Sequence, residues 1–243
     1  MPVPDLSLVV PVFDEAAVLR ESVARLLHSL EELNLSFEVV LSDDGSKDGS
    51  RELVIALAHG DPRLRAVTSK VNEGKGAALQ RGVHAAAGRW VATCDADLST
   101  ELGVLPTALR ELERGAAVVV GDRRHANSRI ARRQPWLRER LGACFGALAR
   151  LAIGSDLRDF TCGFKAYRRD AAQEIFGALE TPRWAFDVEV VAIAKALGMR
   201  VESVPVTWRH RPDTRVRLPG DGVSAFFDLL RIGWRSRVGA YAQ

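Results

Sequence analysis

The chain has 243 residues, of which 47% are hydrophobic and 27% are charged, and its formal net charge is +3. This composition is typical of a globular protein and excludes a disordered or fibrous chain. No apolar run is long enough to cross a bilayer, and the first residues lack the pattern of a secretory signal. Cys94, Cys144 and Cys162 are too far apart for a disulfide framework or a zinc site, so we expect a cytoplasmic protein.

Short apolar segments rich in β-branched residues alternate with segments of helical periodicity along the first half of the chain. The pattern predicts strands at 6–12, 36–42, 63–69, 89–95 and 116–122, and helices at 15–33, 48–59, 75–87 and 102–114. Further helices are expected at 140–153 and 187–198. Buried strands that alternate with helices predict a single α/β domain with a mainly parallel, doubly wound sheet and helices on both faces.

Charge is distributed unevenly along the chain. Residues 1–120 carry a net charge of −6, whereas residues 121–140 carry +5 and residues 200–243 carry +4. An acidic half beside arginine-rich segments indicates a metal-dependent site next to an anion-binding surface, although a solvated position is the simpler explanation for any single arginine. The basic residues lack interleaved aromatic side chains suited to base stacking, which argues against a nucleic-acid partner.

Segments with charged side chains recur where the predicted strands end, and ligands of such sheets bind beyond the carboxyl ends of the strands. These segments are Pro11–Glu15, Asp43 and Asp44, Asp95 and Asp97, and 121–123. Asp95 and Asp97 would point to the same side of an extended segment, where their repulsion favours a bound divalent cation. The alternative is that Asp97 caps the helix near residue 102 while Asp95 is solvated.

The chain lacks the two common phosphate-binding patterns of nucleotide sites. The first strand leads into "PVFDEA", without the Gly-x-Gly-x-x-Gly fingerprint of dinucleotide-binding folds, and the Walker pattern is also absent. The glycine-rich segment 72–79 precedes a predicted helix, and it either brings Lys75 near an anion or forms a simple turn. A nucleotide site in this chain would therefore be of another type.

Eight short segments of the chain, considered together, are more informative about its function than any one motif is alone. They are "PVFDE" (11–15), "SDDGSKDGS" (42–50), "NEGKGAAL" (72–79), "DADLS" (95–99), "GDR" (121–123), "DFTCGFK" (159–165), "RWAFDVE" (183–189) and "VPVTW" (204–208). In this order they resemble family 2 glycosyltransferases of the GT-A fold, over nearly the whole chain. Within that family they are most similar to polyprenyl-phosphate hexosyltransferases, and especially to dolichyl-phosphate β-glucosyltransferases.

The resemblance implies one Rossmann-like GT-A domain over residues 1–243. Its nucleotide-sugar-binding half would be 1–122, its acceptor-binding half 123–220, and its C-terminal amphipathic helix 221–243. The donor would contact Pro11, Val12, Phe13, Glu15, Asp43, Asp44, Lys75, Asp95 and Arg215. The acceptor phosphate would contact Arg123, Arg138 and Lys165.

The resemblance also assigns the catalytic residues as Asp95, Asp97, Arg123 and Asp187. Asp95 and Asp97 match the Asp-x-Asp motif that holds Mg²⁺ or Mn²⁺ on the donor diphosphate. Ser99 stands where some relatives have a Gln or His metal ligand, which leaves the third protein ligand open. In Arg123's motif, Asp122 replaces the serine of the family's Gly-Ser-Arg segment.

The implied reaction is inverting transfer of a hexose, glucose from UDP-glucose, to a polyprenyl phosphate. A phosphate monoester is already ionised near neutral pH, so it needs cations rather than a strong base. The alternatives are mannosyl transfer from GDP-mannose and transfer to a saccharide hydroxyl, for which Asp187 would act as base. A non-catalytic nucleotide-sugar-binding module is the alternative from another class.

The C-terminal segment contains Phe226, Phe227 and Trp234 among several arginines. It predicts a helix that either lies in a membrane interface or packs on the domain. The apolar helix at 140–153 would face lipid or a partner subunit. We therefore expect peripheral membrane contact at the cytoplasmic face, and the sequence leaves the oligomeric state open.

Overall fold

The computed structural model describes residues 3–210 and 220–241. Its strands are β1 (Leu6–Val12), β2 (Phe37–Asp44), β3 (Leu64–Ser69), β4 (Trp90–Thr93), β5 (Val118–Asp122), β6 (Arg129–Arg132), β7 (Lys165–Arg168), β8 (Val201–Pro205) and β9 (Thr207–Arg209). Its α-helices are α1 (Ala16–Glu31), α2 (Ser50–Gly60), α3 (Lys75–Ala85), α4 (Leu105–Glu113), α5 (Trp136–Ile153), α6 (Arg169–Ala178), α7 (Phe186–Ala196) and α8 (Gly220–Arg237).

Seven strands form one twisted sheet in the order β3-β2-β1-β4-β7-β5-β8. Every neighbouring pair is parallel except those of β7, which runs antiparallel to both β4 and β5. A separate parallel pair, β6 and β9, lies beside this sheet in the chain's second half. The predicted α/β fold with a mainly parallel sheet is confirmed.

The five strands predicted in the first half are all present, and the differences lie at their ends. β2 continues to Asp44, whereas β4 ends at Thr93, two residues before the predicted end. The helix expected at 102–114 begins with a 3₁₀ turn at Leu102–Val104, and α4 starts at Leu105 with a proline in its first turn. The strand β7 was not predicted, because "KAYR" is short and begins with a charged residue that a buried strand seldom contains.

Two apolar layers cover the faces of the sheet. Even-numbered residues of β1, such as Leu8 and Val10, pack with α1, while Val9 packs with α3 on the opposite face. This alternation follows from the two-residue period of a strand, and both sets are apolar because both faces are covered by helices. The strand ends are therefore the part of the sheet that is open to a ligand.

The C-terminal segment is fastened to the domain through a buried carboxylate. Glu189 of α7 is fully buried, and its Oε2 accepts backbone hydrogen bonds from Thr181 at 2.6 Å and Glu180 at 3.2 Å. Its Oε1 accepts a hydrogen bond from the Tyr241 hydroxyl at 2.9 Å. Arg235 of α8 pairs with Glu180 and lies over the Tyr241 ring. The 180–182 loop is therefore bound both by Glu189 of α7 and by Arg235 of α8.

We expect Glu189→Ala to lower the free energy of unfolding by on the order of 3 kcal/mol, because three donors lose a buried charged acceptor. Equilibrium urea unfolding measures the change. Glu174→Ala, on the exposed side of α6, is the matched control and should change stability little. Equal stability of the Glu189→Ala variant and the control would contradict this role.

Candidate active site

The cleft lies at the carboxyl ends of β1, β2 and β4, and the segment after β5 closes one side. The parallel register aligns Val12 of β1 with Asp43 of β2, so the residues that follow these strands meet at one edge. A loop at 159–163 and the first turn of α7 complete the other side. The sheet thus brings together segments more than 170 residues apart in the chain, from residue 11 to residue 187.

Asp43 lies at the floor of the cleft, where its carboxylate can accept a hydrogen bond from a polar ligand. Its side chain is fully buried, and its Oδ2 accepts backbone hydrogen bonds from Gly45 at 3.1 Å and Ser46 at 3.3 Å. Arg51 approaches the same oxygen at 3.4 Å. Oδ1 has no hydrogen-bond partner among the described residues, and such a buried oxygen favours a ligand donor.

Asp44, which we expected to contact the nucleotide-sugar donor, is instead surrounded by hydrogen-bonding partners from the protein. Its Oδ2 accepts hydrogen bonds from Asn72 at 2.9 Å and from the Gly74 backbone at 2.7 Å, while its Oδ1 pairs with Arg81 at 2.5 Å. Both oxygens are therefore used within the protein. Asp44 shapes the 72–74 loop instead of facing a ligand directly.

The 72–74 loop places Lys75 at the first position of α3. Gly74 has φ of +120°, and a Cβ there would lie 2.5 Å from the Pro182 carbonyl oxygen, so a side chain is excluded. Ala77 fixes the same contact by donating its backbone N–H to Pro182 at 3.1 Å. The Lys75 ammonium then lies 2.5 Å from Oδ1 of Asp95, within the cleft.

Asp95 and Asp97 lie in a turn after β4 and not on extended backbone. The turn is closed by a hydrogen bond from the Leu98 N–H to the Asp95 carbonyl at 3.1 Å, and Leu98 has a φ of +54°. Asp97 accepts hydrogen bonds from the Ser99 backbone at 2.8 Å and the Ser99 hydroxyl at 2.7 Å. The following helix has no side-chain cap, so the alternative that Asp97 caps it is wrong.

The two carboxylates differ in their electrostatic surroundings. Burial tends to raise the pKa of Asp95, but Lys75, with smaller contributions from Lys165 and Arg123, lowers it below its ordinary value. Burial followed by repulsion from Asp95 raises the pKa of Asp97, although Ser99 and Lys75 oppose this. The side chain of Asp95 is still 35% exposed, so a ligand in the cleft can reach it. A cation beside Asp97 would relieve the repulsion.

The residues present fit a divalent metal by their chemistry. Carboxylate and hydroxyl oxygens of Asp95, Asp97 and Ser99 are the hard ligands that Mg²⁺ and Mn²⁺ prefer. Within residues 3–210 and 220–241, however, no three acidic, histidine or cysteine side chains converge closely enough to hold an ion by themselves. A metal here would therefore need ligands from the donor diphosphate or from water.

His210 is a candidate site residue that the sequence analysis did not identify. It follows β9, and its backbone N–H donates to the Arg132 carbonyl at 3.1 Å. Burial and then the nearby Arg138 and Arg132 lower the pKa of His210, whereas Asp97 opposes this change. The imidazole therefore lies within electrostatic range of Asp97. Only the three-dimensional pairing of β6 with β9 brings it there, and a single histidine in a sequence gives no such signal.

Arg123 is fixed by Asp159 within electrostatic range of Asp95. Its guanidinium donates to both Asp159 oxygens, at 2.6 and 2.7 Å, and to the Thr161 hydroxyl at 2.8 Å. Burial opposes the charge, but Asp159 raises the pKa of Arg123. Burial and the neighbouring Arg123 lower the pKa of Arg138. Two guanidinium groups in range of each other favour an anion in this part of the cleft.

Lys165 does not lie where an acceptor phosphate would bind. It is 1% exposed, and its ammonium donates to the Cys162 carbonyl at 2.9 Å and pairs with Asp187. The expected direct phosphate contact is therefore replaced by a buried ion pair beneath the cleft. Burial raises the pKa of Asp187, although Lys165 and then Lys75 offset part of the effect.

The remaining predicted donor residues are divided between the cleft wall and the core. Pro11, Phe13 and Glu15 are half-buried around the end of β1, where the Glu15 backbone N–H donates to the Ser50 hydroxyl at 2.7 Å. Val12 is fully buried in the apolar core, so its side chain is not available to a donor. Arg215 lies outside the described residues.

Comparison with known proteins identifies the family to which the chain belongs. The model of the family described as glycosyl transferase family 2 matches residues 7–176, which include every strand end that lines the cleft on the donor side. The chain belongs to glycosyl transferase family 2. The predicted resemblance is confirmed, and the cleft is the candidate active site.

Several family 2 relatives match nearly the whole chain. The dolichyl-phosphate beta-glucosyltransferase ALG5A of Trichomonas vaginalis is 35% identical over 246 residues, covering 97% of this chain and 75% of the relative. The human dolichyl-phosphate beta-glucosyltransferase is 29% identical, covering 96% and 74%. Glycosyltransferase AglD of Haloferax volcanii is 32% identical over 96% of this chain, but the chain spans only 38% of that relative.

Solved structures share the fold. Glucosyl-3-phosphoglycerate synthase of Mycobacterium tuberculosis in complex with UDP superposes with a TM-score of 0.68 and 21% identity, covering 95% of this chain and 80% of the other. The same synthase with Mn²⁺, UDP-glucose and phosphoglyceric acid gives a TM-score of 0.63 at 22% identity, covering 97% and 80%. This likeness confirms the GT-A architecture of the domain.

Proposed function

We propose that this enzyme transfers glucose from UDP-glucose to a polyprenyl phosphate, with inversion at the anomeric carbon. The observation that supports it most is the pairing of two sites in one cleft, an acidic turn at Asp95 and Asp97 and an anchored arginine at Arg123. A nucleotide diphosphate with its cation suits the first, and a monoester phosphate suits the second. The names of the relatives, dolichyl-phosphate beta-glucosyltransferases, agree with this donor and acceptor.

In the proposed reaction, a phosphate oxygen of the acceptor attacks the anomeric carbon, and the bond from that carbon to the UDP oxygen breaks. The ionised phosphate has no proton that must be removed first. Arg123, held by Asp159, orients the attacking phosphate together with Arg138, while Lys75 supplies positive charge near the leaving diphosphate. Asp43 offers its Oδ1 to a donor N–H of the base.

We propose that the reaction depends on Mg²⁺ or Mn²⁺ held by Asp95 and Asp97, with Ser99, water or the donor diphosphate supplying the further ligands. When bound, the cation would neutralise charge that develops on the diphosphate. Glucosyl-3-phosphoglycerate synthase, which has this fold, has been crystallised with Mn²⁺ and UDP-glucose. The ion pair with Lys75 favours the ionised form of Asp95, which is the form that a metal ligand needs.

We also propose that different segments of the chain bind the donor, the acceptor and the membrane. Residues 1–122 would bind the nucleotide sugar and residues 123–220 the acceptor, with the terminal helix from residue 221 at a membrane. Peripheral contact with a membrane, on its cytoplasmic face, would bring the enzyme to a lipid acceptor. Among the described residues, no helix is both long and apolar enough to cross a bilayer.

A saccharide acceptor is the second candidate, and the burial of Asp187 favours it in one respect. A sugar hydroxyl needs a base, and burial raises the pKa of Asp187 toward the range of a useful base. Its carboxylate is, however, engaged by Lys165. This pairing makes Asp187 a poorer base, so the phosphate acceptor is preferred.

The test is transfer to a short-chain polyprenyl phosphate from UDP-glucose or GDP-mannose, with Mn²⁺ or with a chelator. We expect metal-dependent formation of the glucosyl lipid from UDP-glucose. Mannosyl lipid as the main product would overturn the donor assignment, and equal rates in the chelator would overturn metal dependence. Bound nucleotide without any transfer to lipid or saccharide would indicate a binding module.

A further inference from the structure

The exposed apolar side chains of this enzyme are concentrated on two helices. Nine of the fourteen large hydrophobic residues exposed in the described part of the chain lie on α5 and α8. They are Trp136, Leu137, Leu141, Leu148 and Leu151 on α5, and Phe226, Phe227, Leu230 and Trp234 on α8. Single exposed hydrophobic residues are ordinary, but a set confined to two elements indicates an interaction surface.

The two helices carry these side chains as stripes and pack against each other. On α5, Leu137, Leu141, Leu148 and Leu151 recur at spacings of four, seven and three residues, which keeps them on one face. The helices approach closely, since a Cβ on Gly233 of α8 would lie 3.1 Å from the Cβ of Ala152 of α5. The stripes therefore belong to one continuous pair of helices.

The exposed stripe of α8 is separate from the face that holds the helix on the domain. Leu229, Ile232 and Gly233 are buried, whereas Phe227 and Trp234 are each 64% exposed. Of the two alternatives from sequence, packing on the domain is therefore observed, and the exposed face is the one that an interfacial helix would present to a membrane. The exposed face is not needed for packing.

Charge next to the stripes favours a negatively charged occupant. Residues 121–140, with a net charge of +5, extend into the first turns of α5. Arg124 packs at the buried face of α5 near Gly146, and the other exposed arginines are Arg129, Arg132, Arg133 and Arg140. On α8, Arg231 and Arg235 instead pair with Glu180. A second copy of this chain would bring another positive block to the face, whereas anionic lipid supplies the opposite charge.

We propose that the α5–α8 surface docks on an anionic lipid bilayer, with the apolar stripes inserted at the headgroup boundary and the 121–140 arginines against the headgroups. The first turn of α5 contains Arg138, which is in electrostatic range of Arg123. Docking in this way sets the mouth of the cleft at the membrane surface, where a polyprenyl phosphate presents its head. This last step rests on the proposed function, but docking itself does not.

The test is flotation of the full chain with phosphatidylcholine vesicles, with or without phosphatidylglycerol, and with no substrate present. We expect binding to the anionic vesicles and a reduction of about tenfold or more in the double variant Phe227→Ser/Trp234→Ser. Ile55→Ser is the matched control, because Ile55 is a 38% exposed hydrophobic residue on α2, at the far edge of the sheet, and should bind like the wild type.

Three results would overturn the proposal. The first is equal binding of the double variant and the wild type, and the second is no binding of the wild type to anionic vesicles. The third is a dimer, seen by sedimentation, that the double variant loses while vesicle binding is absent, which would assign the surface to a second copy. Transfer to a soluble short-chain acceptor should be unchanged in the double variant, so a failure of docking is distinguishable from a failure of the proposed reaction.

Discussion

Asp95→Asn is expected to lower kcat for glucosyl transfer by about 10²- to 10³-fold, because it removes the charge that would hold the proposed cation at the diphosphate. Asparagine keeps the size of the side chain, so the turn at 95–98 can retain its shape. The loss should appear in kcat at saturating UDP-glucose and Mn²⁺. Steady-state kinetics with a short-chain polyprenyl phosphate measures it.

The control for this variant is Asp170→Asn, which neutralises an exposed carboxylate that pairs with Arg168 on the surface. It should retain nearly full activity. Thermal unfolding of both variants separates a lost charge from a lost fold, because the Lys75 ammonium also loses its partner in Asp95→Asn. A well-folded Asp95→Asn enzyme with wild-type kcat would contradict the catalytic role of this carboxylate.

Gly163→Ala is expected to reduce kcat/KM by about 10²-fold, although it adds only one methyl group. A Cβ at residue 163 would overlap Oδ2 of Asp95 and lie 2.5 Å from its Cγ. The carboxylate would have to leave its position beside Lys75. A side chain at residue 163 is therefore excluded sterically, because the Asp95 carboxylate occupies the space that its Cβ would need.

The matched control is Gly177→Ala on α6, where a new Cβ would meet no other atom within 4 Å. That substitution suits a helix and should leave activity unchanged. Loss of activity in Gly163→Ala with an unchanged unfolding midpoint would support a displaced carboxylate. Full activity would show that Asp95 can move without cost, and would contradict a fixed geometry at the turn.

The sequence predicted the sheet and the edge that carries the site, and the reason lies in periodicity. Apolar β-branched runs such as 6–12 identify buried strands, and the parallel fold then places their polar ends together. Asp95 and Asp97 were therefore correctly placed at one sheet edge beside Asp43. The assumption of extended backbone was wrong, because β4 ends at Thr93 and the two residues lie in a turn.

The partners of the site residues could not be predicted, because they come from distant parts of the chain. Asp44 is occupied by the 72–74 loop, and Lys165 by Asp187, which is 22 residues away. His210 comes within electrostatic range of Asp97 through the pairing of β6 and β9. Local patterns identify residue types suited to a site, whereas burial and ion pairing in the folded chain decide which of them face the ligand.

The most direct test of the account is a competition between acceptors. The wild-type enzyme, with Mn²⁺ and UDP-glucose, would be given equal amounts of a short-chain polyprenyl phosphate and a saccharide, and the products analysed by mass spectrometry. The account predicts glucosyl phosphate lipid, formed with release of UDP, and little glucoside. Glucoside as the main product, lost in Asp187→Asn, would contradict the phosphate acceptor and make Asp187 the base of a saccharide transferase.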